Sequence, residues 1–342
     1  MKLSICIPTF NRANHLADCL NSLIISKQNT KNDFEICVSD NNSTDNTEKV
    51  VKNAQKKVLI KYIKNNSNIG FPGNCIKVVE MASGEFVWII GDDDLILPDA
   101  INKVLHLIKN NSNIDFFYLN SFHLDKNYLD KYPRPFDTNN LPHGMEPFSK
   151  YKKDGQLPFL KLIDPKISFD FLGGIFLYAF KRENWIKNID NLSLESINDL
   201  RRFSSFENTF PHVKIISKAF KHSMAYFNSD PLSVNLSGVR EWAAMSPLVM
   251  SIRLSEGLGE YRKHGLPLAK YIIARNFALN NFFSDYIKLV FHRKNSGGIY
   301  INLIKVLMHN CLYPNFYFSA IYFFARKFKK LITSLVHKFS TN

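Results

Sequence analysis

The first 120 residues alternate between short apolar runs and amphipathic stretches, and this alternation constrains the fold more than any other feature of the chain. Apolar runs of strand length occupy residues 3–8, 34–39, 58–64, 85–90 and 115–120. Stretches with helical spacing separate them, at 14–26, 43–55, 69–82 and 98–110. Buried strands that alternate with helices form right-handed βαβ units with a sheet covered on both faces. The sequence therefore predicts an α/β fold with a mostly parallel sheet flanked by helices.

The pattern changes in the rest of the chain. Residues 121–168 are polar and Pro-rich, which predicts a long excursion of the kind that often forms a lid or a binding segment. Further elements are predicted as a strand over 169–180, helices at 182–187 and 211–220, and a short strand at 224–227. Beyond that point the pattern is helical. We therefore predict an α/β portion over 1–230 and a helical C-terminal region over 231–342.

The net charge of +14 comes mainly from the end of the chain. Of the 44 Lys and Arg residues, nine lie within residues 286–342, which contain no Asp or Glu, and residues 313–339 are also rich in aromatic side chains. Basic helices with an apolar face lie in the membrane interface, so we predict membrane contact through this tail. Packing of the apolar face on the rest of the protein is the alternative. No recognised nucleic-acid-binding motif accompanies the charge, so no nucleic-acid partner is expected.

Targeting signals and cysteine spacing bear on the compartment. No signal peptide is recognisable, and no run reaches the ~20 apolar residues of a spanning helix. The five cysteines lack C-x-x-C spacing, which argues against a disulfide framework or a zinc site. We expect a cytoplasmic protein that is peripheral at the inner face of the cell membrane.

Four polar segments follow or adjoin the predicted strands, at residues 8–12, 39–45, 65–74 and 91–94. Ligands of parallel α/β sheets bind beyond the carboxyl ends of the strands. The last segment holds three adjacent carboxylates, Asp92, Asp93 and Asp94, which repel one another unless a cation screens them. Mg²⁺ and Mn²⁺ prefer such oxygen ligands, so a divalent cation site is one interpretation. An Asp-rich turn that caps a helix is the other.

The remaining segments allow two interpretations each. Asp40 follows a buried strand, where a carboxylate can accept hydrogen bonds from a base or a ribose. Ser43 and Asp45 are equally suited to capping the next helix. Gly70 precedes a helix and offers N–H groups to phosphate, or forms a simple turn. Arg12 is either a phosphate ligand or an ordinary solvated charge.

Taken together, the segments resemble the family 2 glycosyltransferases of GT-A fold. The resemblance lies in residues 5–12, 38–45, 68–74 and 84–94, in the same order and spacing over residues 3–120. It implies a GT-A (Rossmann-like) sheet, a nucleotide-diphosphate-sugar donor, and Mn²⁺ or Mg²⁺ as cofactor.

The resemblance also implies roles for particular residues. The nucleotide-sugar site would include Pro8, Thr9, Asn11, Arg12, Asp40, Asn42, Asn68, Gly70, Asn74 and Asp92. The metal ligands would be Asp93 and Asp94, with Asp93 as the direct ligand. Many relatives carry Asp-x-Asp-Asp at this point, whereas this chain has Gly91 at the first position, which leaves the choice of ligands open.

Shorter segments in the second half, at 173–176, 181–185 and 209–213, resemble bacterial O-antigen transferases that add 3,6-dideoxyhexoses, such as abequosyltransferases. This implies a CDP-3,6-dideoxyhexose donor such as CDP-abequose. It also implies a lipid-linked oligosaccharide acceptor in O-antigen or surface polysaccharide biosynthesis.

The catalytic base is less defined. An inverting transferase needs a carboxylate to deprotonate the acceptor hydroxyl, for which Glu207 and Asp170 are the candidates, whereas a retaining enzyme needs none. His212 is predicted on the acceptor side, with a structural hydrogen-bonding role as the alternative. A nucleotidyltransferase, or a sugar-nucleotide or membrane-binding module without turnover, would share many of these features.

Overall fold

The structure, a computed structural model, describes residues 1–27, 33–125, 134–237 and 241–340. Part of the predicted excursion, residues 126–133, lies outside this range.

Ten strands form one sheet, and they are β1 (Leu3–Thr9), β2 (Phe34–Asp40), β3 (Ile60–Lys64), β4 (Phe86–Ile89), β5 (Asp94–Ile96), β6 (Phe116–Asp125), β7 (Glu146–Pro147), β8 (Gly155–Pro158), β9 (Tyr178–Lys181) and β10 (Met224–Ser237). The strand order is β3-β2-β1-β4-β9-β6-β10-β5, with β7 beside β6 and β8 beside β10. β1 to β4 pair in parallel, and β6 pairs in parallel with β10. β9 runs antiparallel between β4 and β6.

The helices are α1 (Ala13–Ser26), α2 (Thr47–Gln55), α3 (Gly70–Glu80), α4 (Ala100–Asn110), α5 (Arg182–Ile186), α6 (Leu194–Asn198), α7 (Phe206–Thr209), α8 (Pro211–Ala219), α9 (Ser246–Leu248), α10 (Leu254–Lys263), α11 (Leu268–Phe277), α12 (Phe282–Phe291), α13 (Arg293–Ser296), α14 (Leu303–Asn310) and α15 (Pro314–Ser340). A π-helical turn, Val249–Arg253, joins α9 to α10. The predicted α/β architecture with a helical C-terminal region is confirmed, since α1 to α4 connect the strands as the sequence pattern indicates.

Strand register determines where the loops meet. β1 and β2 are buried along almost their whole length, as the apolar runs predict for inner strands of a sheet covered on both faces. Thr9 pairs with Asp40, and Asp40 pairs in turn with Lys64. The carboxyl ends of β1, β2 and β3 are therefore level with one another, and the polar loops that follow them lie at one edge of the sheet.

The predicted strand over 169–180 is wrong for most of its length. Phe171 and Leu172 have left-handed backbone conformations (φ 50° and 65°), and a 3₁₀ turn, Ile175–Leu177, precedes β9. The hydroxyl of Tyr261 donates a hydrogen bond to the Phe171 carbonyl (3.0 Å), which satisfies this turn from a helix far away in sequence. The apolar run reflects burial in the core, and periodicity alone does not separate a buried turn from a buried strand.

The final strand is longer than predicted. β10 runs from Met224 to Ser237, past Pro231, and its pairing with β6 shifts register between Asn228 and Ser233. Proline is tolerated at such an irregularity because no ladder hydrogen bond is required of it there. β10 also pairs with β5, a three-residue strand that the sequence pattern did not predict.

The boundary at residue 230 stays a prediction, but the core is shared across it. Leu254, Leu258 and Tyr261 of α10 are buried in the same hydrophobic cluster as the strands. A second, smaller cluster joins Phe282 and Leu289 of α12 to neighbouring helices. The first part of the C-terminal region is thus packed into the α/β portion.

The last helix, α15, packs against α12. Phe316 lies 5.5 Å from Phe282, and Phe323 lies 5.4 Å from Phe283, measured between ring centroids. In the part of the chain that the structure describes, no helix combines the length and apolarity needed to cross a membrane.

One buried acid ties three strands and a helix end together. Glu35 on β2 accepts hydrogen bonds from Ser4 Oγ (2.6 Å) and from the Ser83 backbone N–H (2.6 Å). Its other oxygen lies 2.7 Å from Lys61 Nζ on β3. Burial opposes ionisation of Glu35, but the bonds from Lys61, Ser4 and Ser83 outweigh it and lower its pKa to about 2.

We expect Glu35→Gln to reduce the free energy of unfolding by about 2 kcal/mol at neutral pH, because a charged, fully partnered acceptor is lost. The contribution of an acid with a lowered pKa is present above its unfolded pKa of about 4.5 and is lost toward the folded value of about 2. The difference from the unsubstituted protein should therefore narrow over that pH range in urea titrations. Glu48→Gln removes an exposed ion pair with Lys52 and serves as the control; an equal loss in both variants would contradict this role for Glu35.

Candidate functional site

Two adjacent carboxylates and one guanidinium form the centre of the site. Arg12, just after β1, makes an ion pair through Nη1 with Asp92 Oδ1 and donates from Nη2 to Asp93 Oδ2 (3.0 Å). Thr9 Oγ1 donates to the other Asp92 oxygen (2.7 Å). The structure thus brings together four of the predicted site residues, at the carboxyl ends of β1 and β4.

The electrostatics of this centre favour a further cation. Burial, together with the neighbouring Asp93 charge, raises the pKa of Asp92 to about 7 even though Arg12 opposes the rise. Burial also opposes the charge of Arg12, but Asp92 and Asp93 raise its pKa, so the guanidinium stays protonated. One guanidinium cannot neutralise two carboxylates, and the remaining negative charge attracts a second positive ion.

A third acid, not found by the sequence analysis, contacts Arg12. Glu241 Oε1 lies 3.2 Å from Arg12 Nε, and the Glu241 side chain is 57% exposed. It follows β10, more than 200 residues from Arg12, so no local motif marks it. The next residue, Trp242, packs edge-on against Phe203 at 5.2 Å. The segment after β10 therefore reaches the same centre as the loop after β1.

The three adjacent acids differ in the partners they already have. Asp94 is buried and accepts hydrogen bonds from the Gly91 N–H (2.7 Å) and Asn235 Nδ2 (2.8 Å), which closes the turn and ties it to β10. Both oxygens of Asp92 are engaged by Arg12 and Thr9. Asp93 Oδ1, by contrast, accepts no hydrogen bond from the described residues.

The carboxylates of this centre suit a cation whose remaining ligands come from the phosphates of a bound substrate. Within residues 1–27, 33–125, 134–237 and 241–340, no three His, Cys, Asp or Glu side chains converge in an arrangement that would hold a metal by themselves. Mg²⁺ is commonly bound by one or two carboxylates together with substrate phosphates. Asp93 suits that mode. The ligand role of Asp94 stays a prediction, and its present contacts are those of a residue that shapes the turn.

Gly91 explains the departure from Asp-x-Asp-Asp. A Cβ atom at this position would lie 2.7 Å from Asp93 Oδ1 and 3.0 Å from Asp94 Oδ2. The carboxylates of Asp93 and Asp94 thus occupy the space that a side chain at residue 91 would take. In this chain the turn is organised by the second and third acids, and the first position has to be small.

The predicted base-facing residue, Asp40, is fully buried at the end of β2. Its Oδ1 accepts from the Ser43 N–H (2.8 Å), and its Oδ2 accepts from the Tyr62 hydroxyl (2.7 Å). Burial and the Asp40 charge raise the pKa of Tyr62, so the phenol remains a donor. Tyr62 on β3 was not predicted as a site residue, although its register beside β2 places it there.

The start of α3 is held by asparagine side chains. Asn41 Nδ2 donates to Asn68 Oδ1 (2.7 Å), and Asn68 Oδ1 also accepts from the Gly70 N–H (2.9 Å). Gly70 has φ 74°, which favours glycine. The Gly70 N–H already has a partner, so the predicted phosphate contact through this residue stays a prediction.

Asn74 and Pro8 shape the strand ends. The buried Asn74 amide donates to the carbonyls of Ser39 (3.0 Å) and Thr9 (3.3 Å), which bridges the ends of β1 and β2. Pro8 lies within β1, opposite Ser39. Both residues therefore define the loop geometry of the site.

The loops after β1 and β2 are locked to each other. Asn11 and Asn42 have left-handed backbones (φ 53° and 67°), and Asn11 Oδ1 accepts from the Thr44 N–H (2.8 Å). Asp45 accepts from the Ala13 N–H at the start of α1 (2.9 Å) and from the Thr47 N–H at the first residue of α2 (3.0 Å), although the N-cap residue of α2 is Asn46.

Asp170, one candidate base, organises the turn before β9. Its oxygens accept hydrogen bonds from Ser168 Oγ (2.7 Å) and the Gly174 N–H (2.7 Å). Burial raises its pKa, and the hydrogen bonds oppose the rise. Within the described chain, no hydrogen bond or ion pair joins Asp170 to Asp92, Asp93 or Arg12.

Glu207, the other candidate, belongs to a network of charges. Its Oε2 accepts from the Ser193 N–H (2.8 Å), and its Oε1 lies 3.3 Å from Lys214 Nζ. Lys214 also pairs with Glu260 of α10 (3.2 Å). These contacts support α7, α8 and α10, and the catalytic assignments of Glu207 and Asp170 both stay predictions.

His212 makes the structural contact that the sequence left as an alternative. It is 2% exposed, and its Nε2 lies 3.0 Å from the Gly173 carbonyl. Burial lowers its pKa to about 4, so the imidazole is neutral and can donate this hydrogen bond. The ring steadies the Gly173-Gly174 turn, and its predicted place on the acceptor side is untested.

A loop from the second half reaches the start of α3. The Leu200 side chain and the Asp199 carbonyl lie 3.4 and 3.7 Å from where a Cβ of Gly70 would be. This loop is held by Arg253 of the π-helical turn, which donates to the carbonyls of Phe203 (3.2 Å) and Ser204 (2.5 Å). Sequence reasoning missed Arg253 because its contacts depend entirely on the tertiary fold.

Comparison with known proteins relates the first part of the chain to a family. Residues 4–167, slightly less than half of the chain, match the model of glycosyl transferase family 2. The matched segment contains the loops that carry Thr9, Arg12, Asp40, Asp92 and Asp93. This segment is therefore similar to the domain of the family 2 glycosyltransferases.

Two bacterial relatives are similar to part of this chain. Abequosyltransferase RfbV of Salmonella typhimurium is 39% identical over 104 residues, which cover 30% of this chain and 31% of the relative. The GalNAc(5)-diNAcBac-PP-undecaprenol beta-1,3-glucosyltransferase of Campylobacter jejuni is 44% identical over 106 residues, covering 30% and 33%. The matches span about a third of the length of each relative.

The fold extends further than the sequence similarity. The structure of Staphylococcus aureus TarS 1–349 in complex with UDP-GlcNAc has a TM-score of 0.56 and 19% identity, and the match covers 89% of this chain and 77% of that one. At this identity the likeness shows the fold alone. It agrees with the GT-A-like architecture.

We expect Gly91→Ala to destabilise the protein by about 1–3 kcal/mol, because the new Cβ would collide with the carboxylates of Asp93 and Asp94. Thermal unfolding measures this effect. Gly259→Ala is the matched control, since a Cβ at Gly259 on α10 meets nothing within 4 Å. Equal stability of the two variants would contradict the tight turn.

We expect His212 to make the protein acid-sensitive. A histidine whose folded pKa (about 4) lies below its unfolded value (6.5) binds its proton preferentially in the unfolded state. His212 therefore lowers the free energy of unfolding increasingly as the pH falls from about 6.5 to about 4, by up to about 3 kcal/mol. Chemical unfolding across this range should show a shallower pH dependence for His212→Gln. The exposed His106→Gln should keep the original dependence, and a His212→Gln profile parallel to it would contradict this account.

Proposed function

We propose that this protein is a glycosyltransferase that moves a sugar from a nucleotide-diphosphate donor to a lipid-linked oligosaccharide in surface polysaccharide assembly. The observation that carries the proposal is the Arg12–Asp92–Asp93 centre within the segment that matches family 2, at the carboxyl ends of β1 and β4. Ligands of α/β sheets bind at this edge.

The site offers complementary groups for each part of such a donor. Asp40 at the end of β2 and Tyr62 within β3 suit the base and ribose because their oxygens keep lone pairs that accept hydrogen bonds, while the Tyr62 hydroxyl proton is donated to Asp40. Asp93 would hold Mg²⁺ or Mn²⁺ together with the diphosphate. The bound cation would neutralise negative charge that develops on the leaving nucleoside diphosphate.

Transfer then requires an acceptor hydroxyl to attack the anomeric carbon while the bond from that carbon to the diphosphate oxygen breaks. In the inverting case a carboxylate takes the hydroxyl proton. Asp170 is the buried candidate, and burial raises its pKa. Glu207 is the candidate whose charge is already paired with Lys214.

The identity of the donor sugar is the more specific part of the proposal. Similarity to abequosyltransferase RfbV over 104 residues supports a CDP-3,6-dideoxyhexose such as CDP-abequose. The name of the Campylobacter relative includes an undecaprenol-linked glycan, which supports a lipid-linked acceptor for this chain. Such an acceptor would place the enzyme at the inner face of the cell membrane.

We expect thermal-shift screening with CDP-, UDP-, GDP- and dTDP-sugars to show one donor whose stabilisation increases when Mn²⁺ or Mg²⁺ is added. Asp93→Asn should remove the cation-dependent part of the shift and slow release of nucleoside diphosphate by at least about 100-fold. Asp137→Asn, an exposed acid in a separate turn, should leave both unchanged.

Full activity in a chelator, or unchanged turnover of Asp93→Asn, would contradict the cation role. Consumption of a nucleoside triphosphate with release of pyrophosphate would instead identify a nucleotidyltransferase. The variants Asp170→Asn and Glu207→Gln distinguish the two candidate bases. Substitution of the residue that acts as the base should abolish sugar transfer while donor binding is retained.

A further inference from the structure

The outer side of α14 is apolar and open to solvent. Ile304, Met308 and Leu312, just after the helix, are 71%, 68% and 84% exposed. They are spaced four residues apart and so lie on one side of the helical path. Leu303 and Leu307, on another side, pack against the cluster around Phe282, so the orientation of α14 is determined by the core.

A similar stripe runs along α15. Tyr317, Ile321, Phe324 and Phe328 are between 56% and 66% exposed, and their spacing of four, three and four residues puts them on one helix face. Phe316 and Phe323 contact α12, and the Phe324 ring also lies 5.4 Å from Phe283 of α12 although its side chain is 59% exposed. The aromatic residues of the tail therefore attach the helix to α12 and also present rings to solvent, and Phe324 does both.

Basic side chains accompany both stripes. Arg326, Lys327, Lys329 and Lys330 are all exposed on the later part of α15, and Lys305 is exposed on α14. No Asp or Glu occurs within residues 286–342. The surface thus combines apolar side chains with positive charge that no acid of this segment offsets.

We propose that the two stripes form one docking face for a bilayer that contains anionic lipids, and we define this docking face as Ile304, Met308, Leu312, Tyr317, Ile321, Phe324 and Phe328. Amphipathic helices of this kind lie in the interface, with apolar side chains at the acyl boundary and basic side chains among the headgroups. The docking face includes α14, so the membrane contact extends beyond the aromatic tail.

Charge favours a lipid surface over a second copy of the chain. Pairing two copies through this face would bring two acid-free, basic segments together, and like charges oppose such contact. An anionic bilayer supplies the opposite charge and an apolar layer at once. The proposal gives the lipid-linked acceptor of the proposed function a location, but docking itself does not require turnover.

The test is co-sedimentation of the full chain with vesicles of phosphatidylcholine alone or mixed with phosphatidylglycerol. We expect binding to the mixed vesicles that weakens as salt is raised, because screening reduces the electrostatic part. Ile304→Ser/Met308→Ser and Phe328→Ser should each weaken binding at least tenfold. Leu59→Ser removes a side chain of matching exposure (68%) from the far end of the sequence and should bind as the unsubstituted chain does.

The proposal would be overturned by no binding to mixed vesicles, by equal binding to both vesicle types at every salt concentration, or by unchanged binding of the α14 double variant. Concentration-dependent self-association without lipid that Phe328→Ser abolishes would also overturn it, in favour of a second copy. Circular dichroism and melting temperature verify that each variant is folded.

Donor-dependent release of nucleoside diphosphate, measured without vesicles, reports on the proposed function separately. Its absence in a chain that binds vesicles would overturn the transferase assignment and leave docking intact.

Discussion

The site depends on a charge balance that the fold imposes at the ends of β1 and β4. Asp92 and Asp93 are adjacent and largely buried, and among the residues that the structure describes Arg12 is the one cation that pairs with them. Two carboxylates so close cannot both stay ionised in a dry environment without compensation. Arg12 compensates one of them, and Glu241 competes for the same guanidinium from the segment after β10. A divalent cation carried in with a diphosphate would complete the balance, with Asp93 Oδ1 as the protein ligand.

This charge balance requires that hydrogen bonds hold several loops in fixed positions. The in-register ends of β1 and β2 are tied by Asn74, and the turn after β4 is closed by Asp94 and Asn235. Gly91 leaves the space that these carboxylates need. Most residues of the four motifs thus bond to one another rather than standing free for a ligand. A motif residue can therefore be necessary for function because it positions a neighbour.

Alternation of apolar runs and helical spacing was enough to predict β1 to β4, α1 to α4 and the edge of the sheet that carries the site. Local patterns failed where distant contacts decide the structure. The turn around Asp170 and Phe171 was predicted as a strand because a buried turn and a buried strand have the same apolar composition. Tyr62, Glu241 and Arg253 were missed for a related reason, since each gains its partner only when remote segments pack together.

The C-terminal region connects the site to the outer surface of the protein. Arg253 of the π-helical turn holds the loop that lies against Gly70, and α10, which follows directly, shares the hydrophobic core with the sheet. Farther along, α15 packs against α12, and its outward stripe belongs to the proposed docking face, with the basic residues of α15 beside it. Because these helices pack in sequence, the region is not a detachable anchor on a complete α/β portion. Removing it would free the loop beside α3 together with the tail, since the π-helical turn that holds this loop and the helices of the proposed docking face share one packed cluster.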